Sequence, residues 1–302
     1  MKIGFIGVGA MGKPMAKNLI NTGYEVSVYD LRPEQVQELA SLGAIPCETN
    51  LEVSASVDIV FTSLPNAAIV ETVMNGPGGI FKACKKGTII IDMSSVSPSS
   101  TQKMAAIAEK MGLEYVDAPV SGGTKGAESG NLTIMVGARP NIFEKIKPVL
   151  NVIGKNIYHV GETGLGNAIK IINNLLLGGN MAVLAEALIL GVKCGLEPEV
   201  MKEIISVSSG GSYVLNAKME NFIIKDNFQG GFSMDLQYKD LGLALEAGRE
   251  TNMPLPLTSA AAQIFESGRA LGLGREDMSS VIKVWENITG TTIAGGLCKG
   301  GE

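Results

Sequence analysis

Polar residues interrupt the longest apolar stretch of the sequence, which runs from Ala168 to Val192. Lys170 and Asn174 are four residues apart, so in a helix they share one face. An ammonium group among apolar side chains can donate a proton to a developing alkoxide, which reduction of a carbonyl requires. The alternative is a lysine that extends its stem towards water or forms a structural ion pair. We expect the catalytic role, because the sequence offers few other proton donors.

His159 is the other candidate for proton transfer. It lies in the strand-like run Ile157–Val160, where a histidine with a structural hydrogen bond is the commoner outcome. We therefore do not assign catalysis to it.

A serine followed by two glycines is suited to binding an anion. Ser121, Gly122 and Gly123 follow a predicted strand, and consecutive glycines expose backbone N–H groups that form an anion-binding concavity. The Ser121 hydroxyl adds a donor. A substrate carboxylate would fit there, whereas the alternative is a flexible turn.

A glycine-rich motif near the start of the chain predicts a dinucleotide site. Six residues follow an apolar strand and open a helix: Gly7, Val8, Gly9, Ala10, Met11 and Gly12. The glycines allow a tight turn, close approach of a pyrophosphate, and close packing of helix on strand. Asp30 follows Gly7 by 23 residues and can accept hydrogen bonds from ribose hydroxyls, which favours NAD. Arg32 can receive a 2′-phosphate, so NADP is not excluded.

Two further segments follow the carboxyl ends of strands, where an open α/β sheet binds ligands. Leu64 and Pro65 come after the third predicted strand, and Ser95 comes after the fourth. Proline can simply end a strand, and serines before Pro98 can simply cap a helix. Their position at this edge favours contact with a cofactor.

Four ordered blocks together resemble the β-hydroxyacid dehydrogenase family, from Met1 to about Gly290. They are the glycine motif, Asp117–Gly123, Gly164–Asn174 and Lys239-Asp240-Leu241. The resemblance implies that the second block binds a substrate carboxylate, that Lys170 is the acid/base, and that Asn174 orients the substrate. It also implies that Lys239 lies over the cofactor and that the loop carrying Phe232 approaches the substrate.

The reaction implied is reversible hydride transfer between NAD(P) and the primary alcohol of a 3-hydroxy acid. Candidates are 2-(hydroxymethyl)glutarate, glycerate and 3-hydroxyisobutyrate, and the partner is a small carboxylate-bearing aldehyde or hydroxy acid. Glyoxylate or succinic semialdehyde reduction remains an alternative, as does a non-catalytic dinucleotide-binding protein. An imine reductase would share the architecture, but such enzymes usually lack the lysine at position 170. The family also implies a homodimer or homotetramer.

The surrounding pattern predicts two domains. Strand-like runs alternate with amphipathic stretches up to about residue 160, which is typical of a Rossmann-type α/β sheet. The predicted strands are Lys2–Ile6, Glu25–Tyr29, Asp58–Ser63, Thr88–Ile91, Glu114–Val116, Leu132–Val136 and Ile157–Val160. Helices are predicted between them at Met11–Thr22, Pro33–Leu42, Pro98–Met111 and Ile142–Ile153.

After Gly166 the strand signal disappears and an all-α domain is predicted. We expect a dinucleotide-binding domain over 1–162 and a substrate and oligomerisation domain over 163–302, joined by a helix near 165–194. That helix is apolar on nearly all sides, which is typical of a buried helix. Cys298–Glu302 is expected to be a frayed tail.

Composition excludes several classes of protein. The 302 residues carry a net charge of −5 without a basic block, so neither nucleic acid nor an anionic membrane is an expected partner. Four cysteines without a Cys-x-x-Cys pair and a single histidine favour neither disulfides nor a metal site. The cysteines are expected to be small buried apolar residues. Without a cleavable N-terminal signal, the expected location is the cytoplasm.

Overall fold

The first 170 residues build a nine-stranded sheet in the order β3-β2-β1-β4-β5-β6-β8, with β7 and β9 also paired to β8. Its first six strands run parallel, β8 is antiparallel to β6 and β7, and β9 is parallel to β8. The bounds are β1 Lys2–Ile6, β2 Glu25–Tyr29, β3 Ile45–Pro46, β4 Ile59–Thr62, β5 Ile89–Asp92, β6 Glu114–Asp117, β7 Val120–Ser121, β8 Leu132–Gly137 and β9 Gly154–Gly161.

The central strands are buried on both faces, which explains their continuous apolar sequences. All four residues of β4 and all four of β5 are buried. Successive side chains enter opposite layers: Phe61 and Ile91 join one apolar cluster, whereas Val60 and Ile90 join the other. Helices must therefore cover both faces.

Seven helices accompany the sheet, and proline or a polar cap begins several of them. Pro98 and Pro140 stand at helix starts, where their missing N–H costs nothing. Asn66 caps another by accepting the N–H of Ile69 at 3.0 Å. The bounds are α1 Gly12–Asn21, α2 Pro33–Ala40, α3 Asn50–Ser54, α4 Ala67–Asn75, α5 Pro98–Lys110, α6 Gly123–Glu128 and α7 Pro140–Leu150, with a 3₁₀ turn at Ile80–Lys82.

The remainder of the chain is helical, and the computed structural model describes residues 1–294. The helices are α8 Leu165–Lys193, α9 Pro198–Ser206, α10 Tyr213–Lys218, α11 Met234–Glu250, α12 Pro256–Ala270 and α13 Ile282–Thr289. Met219–Ile223 forms a π-helical turn and Met278–Val281 a 3₁₀ turn. The chain divides into one compact unit that ends at Lys170 and a second that begins at Ile171.

These elements confirm the predicted fold class, a Rossmann-type α/β sheet followed by an all-α region. The predicted tail at Cys298–Glu302 lies outside the described residues. The proposed domain limits, 1–162 and 163–302, stay a prediction.

α8 is less buried than its composition indicates. It is long and apolar enough to cross a membrane, and half of its most apolar 18-residue window is buried. Large apolar side chains remain exposed along it at spacings of three, four or seven residues, which place them on one helix face: Leu165, Ile169, Ile172, Leu176, Val183 and Leu190. The expectation of a helix buried on nearly all sides is therefore wrong for one face.

The cysteines also differ from expectation. Cys47 and Cys84 are half-buried, and Cys194 at the end of α8 is exposed. Burial raises the pKa of the Cys84 thiol to about 11, so this thiol stays protonated near neutral pH.

Candidate functional site

The glycine motif forms the tight turn between β1 and α1. Gly7 has a φ of 87°, and its N–H donates to the carbonyl of Tyr29 at 3.0 Å. A Cβ on Gly12 would lie 2.0 Å from the carbonyl oxygen of Gly7, so only glycine allows this approach. Val8 is fully buried in the apolar core, so only its backbone can meet a ligand. Ala10 is exposed and Met11 is half-buried at the start of α1.

This turn fits a dinucleotide. Helix α1 begins directly after it, and the free N–H groups of a helix N-terminus attract a pyrophosphate. A Cβ on Gly9 would meet only the Arg32 guanidinium, at 3.0 Å, so the space beside Gly9 is bordered by one flexible side chain.

Asp30 and Arg32 form a local ion pair directly after β2. The Asp30 carboxylate accepts the Arg32 backbone N–H at 3.0 Å and its Nε at 3.2 Å. The Asp30 side chain is 10% exposed and that of Arg32 is 55% exposed. The aspartate is thus held in place, whereas the arginine is largely in solvent.

A buried network lies under the next two strand ends. Asp92 Oδ1 accepts the Thr62 hydroxyl at 2.8 Å and the Ser94 N–H at 3.1 Å, and Asp92 Oδ2 accepts the Tyr115 hydroxyl at 2.8 Å. Burial raises the pKa of this carboxyl, and these hydrogen bonds oppose the rise. The Ser94 hydroxyl accepts the N–H of Leu64 at 2.9 Å. The network therefore fixes the backbone beside two predicted cofactor segments, the one at Leu64 and Pro65 and the one at Ser95. Pro65 is exposed and Ser95 is half-buried.

Ser121, Gly122 and Gly123 connect β7 to α6. Both glycines have positive φ values, 132° and 63°, which other residues rarely adopt. Both are exposed, and Ser121 is half-buried. The turn therefore has a specific backbone conformation that glycine allows. Its exposed N–H groups and the Ser121 hydroxyl are accessible to a carboxylate.

Lys170 lies in the second turn of α8 and is 8% exposed. The helix start is attached through Asn167 to the β5–α5 connection and to α5: Asn167 Oδ1 accepts the Val96 N–H at 3.2 Å, and its Nδ2 donates to the Thr101 hydroxyl at 3.1 Å. The lysine therefore stands on a rigid support, as an acid/base residue requires.

Asn174 is one turn further along α8 and is held by α11. Its side-chain Nδ2 donates to the Asp240 carboxylate, and its backbone carbonyl accepts the Gln237 Nε2 at 2.9 Å. The Asn173 amide donates to Asn174 Oδ1 at 2.8 Å. Lys239 Nζ lies 3.1 Å from the other oxygen of Asp240. Asn174 thus has a fixed orientation within a buried polar cluster.

The segment around Phe232 is attached to Asp277. Asp277 Oδ2 accepts the Phe232 N–H at 2.9 Å and the Lys218 ammonium at 2.6 Å. A Cβ on Gly231 would lie 2.0 Å from the same oxygen. Phe232 itself is half-buried, so part of its ring remains accessible.

Comparison with known proteins decides the family. Residues 2–161 match the model for the NAD binding domain of 6-phosphogluconate dehydrogenase, and residues 164–285 match that for the NAD-binding region of NADP-dependent 3-hydroxyisobutyrate dehydrogenase. The chain is 68% identical to 2-(hydroxymethyl)glutarate dehydrogenase of Eubacterium barkeri over 98% of each chain. It is 38% identical to 2-hydroxy-3-oxopropionate reductase of Escherichia coli, over 95% of this chain and 97% of the reductase.

A solved structure agrees. Mycobacterium tuberculosis 3-hydroxyisobutyrate dehydrogenase with L-serine superposes with a TM-score of 0.89 at 32% identity, covering 94% of this chain and 98% of that one. The chain belongs to the β-hydroxyacid dehydrogenase family. The predicted resemblance is confirmed, and with it an NAD(P)-dependent oxidoreductase acting on hydroxy acids.

In this dehydrogenase, sequence reasoning missed Asp240 as a functional candidate. A neighbouring pair of opposite charges on a helix is usually solvated, yet Asp240 is 4% exposed and binds Asn174. Asp240 shares a helix face with the fully buried Gln237, three residues earlier, but that burial is a property of the folded chain and no local sequence pattern indicated it.

His159 has the structural contacts expected of it. Its Nε2 lies 2.7 Å from the carbonyl oxygen of Ala138, and its ring stacks on that of Phe143 with centroids 4.6 Å apart. It stands on β9, which pairs with β8 among the described residues. The roles of the individual site residues stay predictions.

Proposed function

We propose that this dehydrogenase reversibly oxidises the primary alcohol of a small 3-hydroxy acid, with Lys170 as acid/base. The observation that carries the proposal is a buried lysine on a fixed helix, one turn before an asparagine whose amide is oriented by Asp240. The 68% identity to the Eubacterium barkeri enzyme makes 2-(hydroxymethyl)glutarate the first substrate to test, before glycerate and 3-hydroxyisobutyrate.

Proton transfer at the reacting oxygen is assigned to Lys170. When bound, NAD(P) supplies or takes the hydride. During reduction the Lys170 ammonium donates a proton to the alkoxide that develops on the substrate, and during oxidation the neutral amine accepts the hydroxyl proton.

Two groups orient the substrate in this proposal. An amide carries two N–H bonds, and Asn174 gives one to Asp240, which leaves the other for the reacting oxygen. The Ser121 hydroxyl and the N–H groups of Gly122 and Gly123 bind the substrate carboxylate, which fixes the carbon to be reduced. Phe232 contributes an apolar contact to the substrate.

The cofactor segments are assigned in the same way. Backbone N–H groups of the turn from Gly7 to Gly12 bind the pyrophosphate, and Asp30 accepts the ribose hydroxyls, so NAD is preferred. Arg32, being mostly in solvent, is able to turn towards a 2′-phosphate, and NADP remains usable. Leu64, Pro65, Ser95 and Lys239 complete the cofactor contacts.

The assembly and setting are also proposals. The exposed apolar face of α8 supports a homodimer or homotetramer, because soluble monomers rarely expose a long apolar stripe. We propose a cytoplasmic enzyme with neither nucleic acid nor membrane as partner. Light scattering after size-exclusion chromatography tests the assembly, and a monomer at micromolar concentration would contradict it.

Steady-state kinetics on a panel of semialdehydes and their alcohols, with both cofactors, tests the function. Lys170→Ala should lower kcat by about a hundredfold or more while the Kd of NADH stays unchanged. Lys170→Arg should not restore activity, because a guanidinium does not release its proton in this range. Lys193→Ala, at an exposed lysine of the same helix, is the control. Near-normal turnover by Lys170→Ala would refute the assignment.

A further inference from the structure

Asp117, at the end of β6, is a buried carboxyl to which the proposed chemistry gives no role. Its exposure is 0%. Its Oδ1 accepts the N–H of Gly164 at 2.7 Å, and its Oδ2 accepts the N–H of Asn167 at 2.6 Å. Gly164 immediately precedes α8 and Asn167 is the third residue of that helix. Asp117 therefore holds the end of the helix on which Lys170 stands.

A helix can satisfy these two N–H groups from its own sequence through a capping box. A capping side chain accepts the N–H of the third residue, whose side chain reaches back to the N–H of the cap. α8 has neither device, because Gly164 has no side chain and the Asn167 amide is used by Val96 and Thr101. A single carboxyl on the sheet replaces both, and the positive end of the helix dipole favours its ionised form.

The backbone is shaped around this contact. A Cβ on Gly137 would lie 2.3 Å from Asp117 Oδ1. A Cβ on Gly166 would lie 2.9 Å from Asp117 Oδ2 and 2.4 Å from the carbonyl oxygen of Met135. Both positions therefore require glycine, and at Gly166 the backbone of α8 approaches β6 and β8 closely, one turn before Lys170.

Asp117 also precedes Ser121 by four residues, across the short connection between β6 and β7. We propose that Asp117 is a positioning residue that couples Lys170 to the carboxylate-binding turn at Ser121, by fixing the start of α8 to β6, the strand that leads through β7 into that turn. This inference rests on the proposed acid/base role of Lys170.

The coupling should depend on pH. Burial raises the pKa of Asp117 to about 6, the two N–H groups lower it, and Asp92 on the neighbouring strand raises it. Tyr115 also interacts with Asp117; burial and the two carboxylates raise the pKa of its hydroxyl well above the ordinary value, so it stays neutral. A protonated Asp117 sets an O–H against a helix N–H, so one of its two contacts is lost below that pH.

Protonation of Asp117 does not destabilise the folded chain, so it cannot lower activity at acidic pH by causing unfolding. A carboxyl whose pKa is raised by folding binds its proton more tightly in the folded chain than in the unfolded one. Its contribution to stability therefore grows as the pH falls from about 6 towards the unfolded value of 3.8. As the pH falls below about 6, protonation of Asp117 should lower kcat and at the same time increase the free energy of unfolding.

The test is Asp117→Asn in the full-length enzyme. An asparagine accepts one N–H but places its own N–H₂ against the other, so α8 should shift slightly. We expect kcat for reduction to fall about tenfold to a hundredfold, since displacements near 1 Å have that effect, while the Kd of NADH is unchanged. The wild type should show an acidic limb in kcat near pH 6, and the variant should lack it.

Asp92→Asn is the matched control, because Asp92 is also buried and is the register partner of Asp117 on the next strand. It should retain the acidic limb, displaced to lower pH because the Asp92 charge that raises the Asp117 pKa is removed. A limb that disappears in Asp92→Asn instead, or one that persists in Asp117→Asn, overturns the inference.

The two proposals fail differently. Wild-type kcat in Asp117→Asn together with an inactive Lys170→Ala removes only the positioning role, whereas an active Lys170→Ala removes both. If Asp117→Asn does not fold, the wild type decides: a flat kcat profile between pH 5 and pH 7, with constant circular dichroism, overturns the inference.

Discussion

Replacing Asp277 should destabilise the helical unit more than any exposed ion-pair change. This carboxylate is fully buried and accepts four hydrogen bonds, from Lys218 Nζ at 2.6 Å, the Phe232 N–H at 2.9 Å, the Ser279 N–H at 3.0 Å and the Ser279 hydroxyl at 2.6 Å. The Lys218 side chain is 10% exposed. Asp277→Ala would leave a buried ammonium and two backbone N–H groups without their acceptor.

The magnitude follows from that count. Removing one partner of a buried ion pair costs about 3–5 kcal/mol, because the remaining charge stays desolvated. The ammonium also lies 4.8 Å from the centroid of the Phe222 ring, a contact that offsets only a small part of this loss. We expect a free-energy change in that range for Asp277→Ala, and a smaller one for Asp277→Asn, whose amide oxygen still accepts N–H groups.

Urea denaturation followed by tryptophan fluorescence measures this change. Trp285 is the single tryptophan of the sequence and lies against the core of the helical unit, so its signal reports that unit. Asp235→Ala is the control: Asp235 pairs with Arg269 at 2.6 Å but is 51% exposed, so its loss should cost less than about 1 kcal/mol. If the two alanine variants unfold at the same urea concentration, the reasoning about desolvation is refuted.

Three further results are expected. Asp30→Ser should reduce the ratio of kcat/KM for NADH to that for NADPH, since the ribose acceptor and its charge are lost; a wild type that prefers NADPH would contradict this. The methyl ester of a substrate should react far more slowly than the acid, because each donor left unpaired at Ser121–Gly123 costs roughly 1–3 kcal/mol, and equal rates would exclude the carboxylate site. Oxidation should accelerate with rising pH as the Lys170 amine becomes neutral, and a falling profile would count against Lys170 as base.

The sheet could be predicted from the sequence because its central strands are buried on both faces. Ile89, Ile90 and Ile91 of β5 are all apolar because both faces of this strand are buried, whereas a surface strand needs apolar residues on one face only. The strands β3 and β7 were missed because each has two residues, too few for any periodicity. Helix α4 was missed although its signal was present: Asn66 is a cap, and the buried residues Val70, Val73 and Met74 follow at helical spacing.

Some features of the candidate site could likewise be predicted from local sequence, and others could not. Local spacing predicted that Lys170 and Asn174 share a helix face, and the order of glycines predicted the turn at Gly7. The burial of Asp240 depends on α11 packing against Asn174, a contact between residues 66 apart in sequence. Such partners are set by tertiary structure, and local patterns carry no information about them.

The two outer strands of the sheet bear on how copies of this protein associate. β3 consists of Ile45 and Pro46, and proline has no N–H to offer a neighbouring strand. At the opposite side, β9 exposes Lys155, Asn156 and His159, and its pairing with β8 contains two register shifts. Short length, charge and irregular pairing all discourage a further strand from adding to an edge. Edge-to-edge extension of the sheet, a common route to aggregation during refolding at high concentration, is therefore blocked at both ends.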